Sequence, residues 1–140
     1  MISMMISTKG RYALRVMLDL AAHADGSYVR LSSIAERQNI SEKYLESILV
    51  VLSKAGLLDA LRGKGGGYRL IKPACEYTVH EILQLTEGSL APVRCLEQGV
   101  GCERAGVCLT LPLWEGLDRV IETYLRSYTL EDILQRKVAL

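Results

Sequence analysis

The run Arg62-Gly63-Lys64-Gly65-Gly66-Gly67-Tyr68 constrains the fold of this chain more than any other stretch. It lies between two short apolar segments, Leu57 to Leu61 and Tyr68 to Ile71. Glycine permits the backbone conformations of a tight hairpin tip, so the pattern predicts two short strands joined by a loop. Arg62, Lys64 and Arg69 place charge beside a backbone bare enough to approach a sugar-phosphate surface closely. Arg62 can also reach into a narrow minor groove. A nucleotide-binding phosphate loop is the rival reading. That pattern needs Gly-Lys-Ser/Thr leading into a helix, whereas Lys64 is followed by Gly65 and then a strand. The rival fails, and a solvated basic hairpin without a partner stands as the bland alternative.

What precedes the hairpin sharpens it. Leu14, Met17, Leu18 and Ala21 recur at helical spacing between Thr8 and Ala24, ahead of the turn signal Asp25-Gly26-Ser27. Tyr28 to Leu31 reads as an extended link. A second helix is expected from Ser32/Ser33 to Gln38-Asn39, with Ser33 and Glu36 at capping-box spacing. Ser41 then caps a third helix, whose Leu45, Ile48, Leu49 and Leu52 form one apolar face and whose end falls at Ala55-Gly56. Two short helices and a hairpin make a winged helix-turn-helix, in which the second helix of the pair enters the major groove. The residues facing DNA would be Ser41, Glu42, Lys43, Tyr44 and Glu46. Lys43 can meet phosphate or guanine, Tyr44 phosphate or a thymine methyl, and Glu46 cytosine N4. A merely solvated or buried Glu46 is an equal alternative.

Charge agrees with this division. Residues 1–72 carry 11 Lys/Arg against 6 Asp/Glu, and residues 73–140 carry 6 against 10. A basic half joined to an acidic one fits a nucleic-acid-binding segment with a separate sensing or assembly segment. No apolar run reaches the ~18 residues of a membrane helix, and the first residues lack the basic start and cleavage site of a signal peptide. The expected location is cytoplasmic. No acid/base or nucleophile constellation suggests an enzyme.

In the second half, Thr78 and Glu81 have capping-box spacing and open a short helix through Ile82 and Leu85. Residues 88–108 read as a glycine-rich loop holding Cys95, Cys102 and Cys108. In a reducing compartment such a cluster points to metal or redox chemistry rather than disulfides. The spacing lacks the close cysteine pairs of a zinc knuckle. Thiolates spread along a loop can instead wrap an iron–sulfur cluster, which needs four ligands; zinc and bare redox thiols remain alternatives. Cys75 reads as an inert thiol at a strand end, His80 as a surface residue and His23 as a helix-end residue favouring the dipole. Thr110-Leu111-Pro112 starts a last long helix with apolar positions from Leu113 and Trp114 to Tyr124 and Tyr128, and Thr129 to Leu134 adds a further turn or two. Its broad stripe must pack on something. The same helix of a second subunit is the natural choice, and the first helix of its own chain is the alternative.

Three stretches together carry a family resemblance: Ser7-Thr8-Lys9-Gly10-Arg11-Tyr12-Ala13, Ser41-Glu42-Lys43-Tyr44-Leu45-Glu46, and Arg62 to Tyr68. The chain resembles the Rrf2 family of bacterial transcription regulators over nearly its whole length. It is most similar to the cluster-binding, IscR-like branch, with NsrR and CymR as relatives. The resemblance implies a homodimer on double-stranded operator DNA, and a role for Glu46 in choosing between operator classes. It also implies an iron–sulfur cluster on Cys95, Cys102 and Cys108, two-iron–two-sulfur favoured and four-iron–four-sulfur the alternative. Where IscR-like members have a histidine ligand this chain has Leu111, and where other members borrow an acid from the first helix it has Arg11. Cys75, His80, Glu97, Glu103 or an external ligand remain for the fourth position. Members start just before the Ser-Thr-Lys-Gly stretch, which implies a start at Met4 or Met5.

The expected protein is therefore mainly α with a small β-hairpin wing and a long C-terminal dimerisation helix. Residues 1–73 form the winged helix-turn-helix region. Residues 74–140 form the cysteine loop and dimerisation helix, within one compact domain overall. Its expected function is a repressor whose DNA affinity follows the cluster in redox or nitric oxide sensing. The rivals are a thiol-sensing or partner-controlled regulator without a cluster, and a small redox or cluster-transfer protein.

Overall fold

The computed structural model describes residues 6–96 and 106–138. Met1 to Met5, Glu97, Cys102 and Glu103, on which some expectations fall, lie outside the described residues. Helices α1 (Thr8–Ala22), α2 (Leu31–Gln38) and α3 (Glu42–Lys54) lead into strands β1 (Leu58–Leu61) and β2 (Gly67–Leu70). A 3-10 turn at Ala74–Glu76 then precedes α4 (Val79–Glu87), and another at Arg94–Leu96 precedes α5 (Leu111–Arg126) and α6 (Leu130–Leu134). This mainly helical chain with one antiparallel hairpin matches the expected winged helix-turn-helix architecture.

Local chemistry sets most helix ends. Ser7 caps α1 by accepting from Gly10 N, and Ser41 caps α3 by accepting from Tyr44 N. Thr78 and Glu81 form the reciprocal capping box of α4. At α2 the expectation needs correcting. The Ser33–Glu36 box does not form, because the helix starts at Leu31 with Arg30 as a cap that makes no side-chain bond. Tertiary pairing decides this start: Val29 N donates to Tyr68 O at 2.8 Å, and Val29 O accepts from Tyr68 N at 2.9 Å. That bridge holds the link extended as far as Val29, and the chain turns helical as soon as it is released.

The predicted face of α3, Leu45, Ile48, Leu49 and Leu52, is fully buried. Burial of each such side chain is worth roughly 1.5–3 kcal/mol. They pack in one cluster with Val16, Met17 and Leu20 of α1 and Ile34 of α2. The cluster also takes Tyr77, Ile82 and Leu130 from beyond Pro73, so one core spans both halves of the chain. The fully buried Tyr77 ring ends in a hydroxyl that donates to Leu57 O (2.7 Å) and accepts from Ile71 N (2.9 Å).

A buried carboxylate aims the helix pair. Asp19 of α1 is only 5% exposed and accepts from Arg37 Nε (3.0 Å), Arg37 Nη2 (2.7 Å) and Gln38 Nε2 (2.9 Å). Burial pushes its pKa up, but the bonds from Arg37 and Gln38 outweigh that and hold it below the usual carboxylate value. Arg15 of α1 donates to Gln38 O at 2.6 Å as well. The end of α2 is thus clamped on α1, and Asn39, left-handed at φ 54, turns the chain toward α3.

Candidate nucleic-acid interface and cysteine segment

Opposite the buried stripe of α3, Ser41, Glu42, Lys43 and Glu46 are exposed, as the sequence expects. Tyr44 is half-buried, and its ring meets Tyr12 edge-on at 5.8 Å between centroids. Part of that side chain therefore belongs to the packing of α1 on α3. Glu46 looks across an open cleft of about 700 Å³ toward Arg62 and the wing glycines. The structure brings the recognition helix and the wing together around this one cleft.

In the wing, Leu58 pairs with Leu70, Asp59 with Arg69, Ala60 with Tyr68 and Leu61 with Gly67. Arg62, Gly63, Lys64 and Gly65 form the exposed tip. At Gly65, φ is +77° and a Cβ would meet nothing. Gly67 differs: at φ +152° a Cβ would overlap the Val29 carbonyl oxygen. Internal packing of wing on link thus demands a glycine here, whatever the wing approaches outside. Arg69 also departs from the sequence reading, which groups it with the wing cations. It turns back to pair with Asp59 (3.0 Å), donates to Gly26 O (2.9 Å) and covers the Tyr28 ring at 4.2 Å. Asp59 is held below its ordinary pKa by the Tyr28 hydroxyl and then by Arg69, with desolvation opposing.

On the cysteine segment, Cys95 is half-buried in the 3-10 turn Arg94–Leu96. Cys108 is half-buried with its Sγ 3.3 Å from Thr110 Oγ1. Leu111 opens α5, and Arg11 is exposed on α1 with Nη2 bonded to Thr8 Oγ1 at 3.2 Å. The described residues contain no group of three His, Cys, Asp or Glu gathered for a metal. Cys75 is exposed in the 3-10 turn Ala74–Glu76 rather than at a strand end. His80 is not the surface residue expected. It is half-buried in a polar cleft between α4 and α5, where burial and then the Arg126 charge lower its pKa.

α5 has Pro112 in its first turn as expected, and none of its residues is buried in the single chain. Its main neighbour is α4. Leu113, Val120 and Tyr124 are 63%, 64% and 50% exposed, so a broad apolar face is open. No helix among the described residues is long and apolar enough to cross a membrane.

A helix pair clamped on α1, a capped and exposed recognition face and a basic wing define a winged helix-turn-helix DNA-binding transcription regulator. Comparison with known proteins then identifies the family. The Rrf2 profile, described as Iron-dependent Transcriptional regulator, matches residues 6–136, and the chain belongs to the Rrf2 family. It is 41% identical over 138 residues to the HTH-type transcriptional regulator IscR of Photorhabdus laumondii, covering 98% of this chain and 83% of that one. The solved structure of CymR, the global cysteine regulator of B. subtilis, matches with a TM-score of 0.76 and 36% identity, covering 97% of this chain and 98% of that one. IscR of T. potens matches with a TM-score of 0.74 and 37% identity, covering 96% and 88%. These relatives are transcriptional regulators, a non-enzyme class, and so is this chain.

Proposed function

We propose that the protein is a cytoplasmic homodimeric repressor of double-stranded operator DNA, and that an iron–sulfur cluster on Cys95, Cys102 and Cys108 modulates its affinity. The observation that carries the DNA reading is the shared cleft of α3 and the wing. It supports assigning the contacts to Ser41, Glu42, Lys43, Tyr44 and Glu46 and to Arg62, Gly63, Lys64, Gly65, Gly66, Gly67 and Tyr68. Glu46, exposed at the cleft, is the residue assigned to discriminate between operators. The open apolar face of α5 supports the dimer, because a twofold pair of α5 helices would cover it and match palindromic DNA.

For the cluster, the donor chemistry fits. Cys95 and Cys108 are half-buried thiols rather than core residues, and soft sulfur donors suit iron–sulfur binding. The fourth ligand would come from outside the Leu111 and Arg11 positions, neither of which donates to iron in the ordinary way. When bound, such a cluster supplies a centre responsive to redox state or nitric oxide. The chain's own residues provide a route from the cysteine segment to the recognition helix. Glu87, the last residue of α4, accepts from Ser7 N (3.0 Å) and Ser7 Oγ (2.7 Å) at the start of α1. Tyr12 of α1 in turn meets Tyr44 of α3.

Anaerobic purification, visible absorption, iron content and DNA affinity before and after cluster removal test this reading. A coloured protein whose affinity changes when the cluster is removed is expected, with colour lost in Cys95→Ala, Cys102→Ala and Cys108→Ala. A colourless protein that binds DNA equally well after all three substitutions would sink the cluster switch and leave thiol or partner control.

A further inference from the structure

The cleft between α3 and the wing contains charges outside the two motifs that mark the interface. Lys54, on the last turn of α3, continues the stripe Lys43, Glu46 and Val50 at helical spacing. Arg30 enters from the link, where the Val29–Tyr68 backbone pair fixes it beside Gly67. Arg62 enters from the wing. Three separate elements each bring one cation to a single open cleft.

These cations are not engaged elsewhere. Among the described residues, Arg30, Lys54 and Arg62 make no ion pair and no side-chain hydrogen bond. Arg15, Arg37 and Arg69, on neighbouring elements, are each tied to an internal acceptor. Two further observations point to an anionic occupant. The hydroxyl of Ser53, which lines the same cleft, is screened from solvent and has no hydrogen-bond partner. Arg30 and Leu31, which line the cleft, are also the start of α2, which has no side-chain cap to accept from its first-turn N–H groups. A buried hydroxyl without a partner calls for a ligand or water, and a helix N-terminus favours an anion.

We propose that this cleft seats a backbone phosphate of the operator strand running between recognition helix and wing, held by Arg30, Lys54 and Arg62. The inference rests on the DNA-binding reading and adds Arg30 and Lys54 to it. The occupant is a DNA phosphodiester because the cleft continues the exposed recognition stripe of α3. Contacts of this sort fix register on the duplex and carry no sequence information.

The test is fluorescence anisotropy on two labelled duplexes, one from the chain's own promoter and one of random sequence, over a series of salt concentrations. Arg30→Ala and Lys54→Ala should weaken binding to both duplexes alike. Each should lower the slope of log K against log salt by about 0.9 for every phosphate that is no longer neutralised. Arg30→Lys should keep the slope. Replacing single phosphates by neutral methylphosphonates should reveal one position that weakens the wild type but not Arg30→Ala. Unchanged slopes in both alanine variants, with thermal melts showing them folded and wild type still salt-sensitive, would overturn the cleft proposal alone. If Lys43→Ala and Lys64→Ala also changed nothing, the wider assignment of this face to DNA would fall with it.

Discussion

Gly65 and Gly67 are two residues apart on one wing, and the structure assigns them different costs of substitution. At Gly65 a methyl group would meet no atom, so Gly65→Ala carries only the conformational penalty of a positive φ. That is roughly 1–2 kcal/mol. At Gly67 the added Cβ would overlap the Val29 carbonyl oxygen at φ +152°. Relief requires moving the link away from β2, which breaks the two Val29–Tyr68 hydrogen bonds. Strain of roughly 1–3 kcal/mol and two bonds at about 0.5–1.5 kcal/mol each give a total of roughly 2–6 kcal/mol. Urea unfolding followed by circular dichroism, at one fixed protein concentration and without DNA, measures both. Gly67→Ala should unfold at clearly lower urea than Gly65→Ala. If Gly67→Ala lay within about 0.5 kcal/mol of wild type, or Gly65→Ala cost as much, the assignment of Gly67 to internal packing would be wrong.

Asp19→Asn should destabilise the fold by about 2–3 kcal/mol in thermal melts. This is below the usual figure for a broken buried pair, because Arg37 keeps 35% of its side-chain exposure and can rehydrate. The folded pKa of Asp19 lies below its unfolded value near 3.9, so its stabilisation is complete above that value and is lost as pH falls through the folded one. Wild type should therefore lose stability in that acid window while Asp19→Asn changes less there. Tyr77→Phe should cost about 1–3 kcal/mol in urea unfolding, because the Leu57 carbonyl and Ile71 N–H lose their partner.

The features readable from sequence are those written in local spacing. The face Leu45, Ile48, Leu49 and Leu52, the Ser41 cap and the Thr78–Glu81 box each lie within one or two helical turns, and each forms as expected. Features that depend on which distant segments meet are not readable in this way. Leu31-Ser32-Ser33 offers more than one helix start, and only the bridge from Val29 to β2 selects Leu31. Asp19 and Arg37 lie on different helices, so their pairing waits on the angle between α1 and α2. Arg69 reads like Arg62 among the wing cations until its strand register places it opposite Asp59. Arg30 and Lys54 look like ordinary solvated charges, because nothing nearby in sequence says that a cleft lies between them.

Tyr77 has a consequence for how such regulators can be recombined. Its ring sits in the core beneath the DNA-reading helices, and its hydroxyl joins the segments on either side of the hairpin. The chemical change of character falls near Pro73, but the mechanical boundary does not. A chimera joined at Pro73, with its second half taken from another regulator, would leave a hole of tyrosine size and three backbone groups without this partner unless the graft brought its own phenol to the same place. Exchange of the second half is therefore restricted to donors that carry a tyrosine at this place in the core.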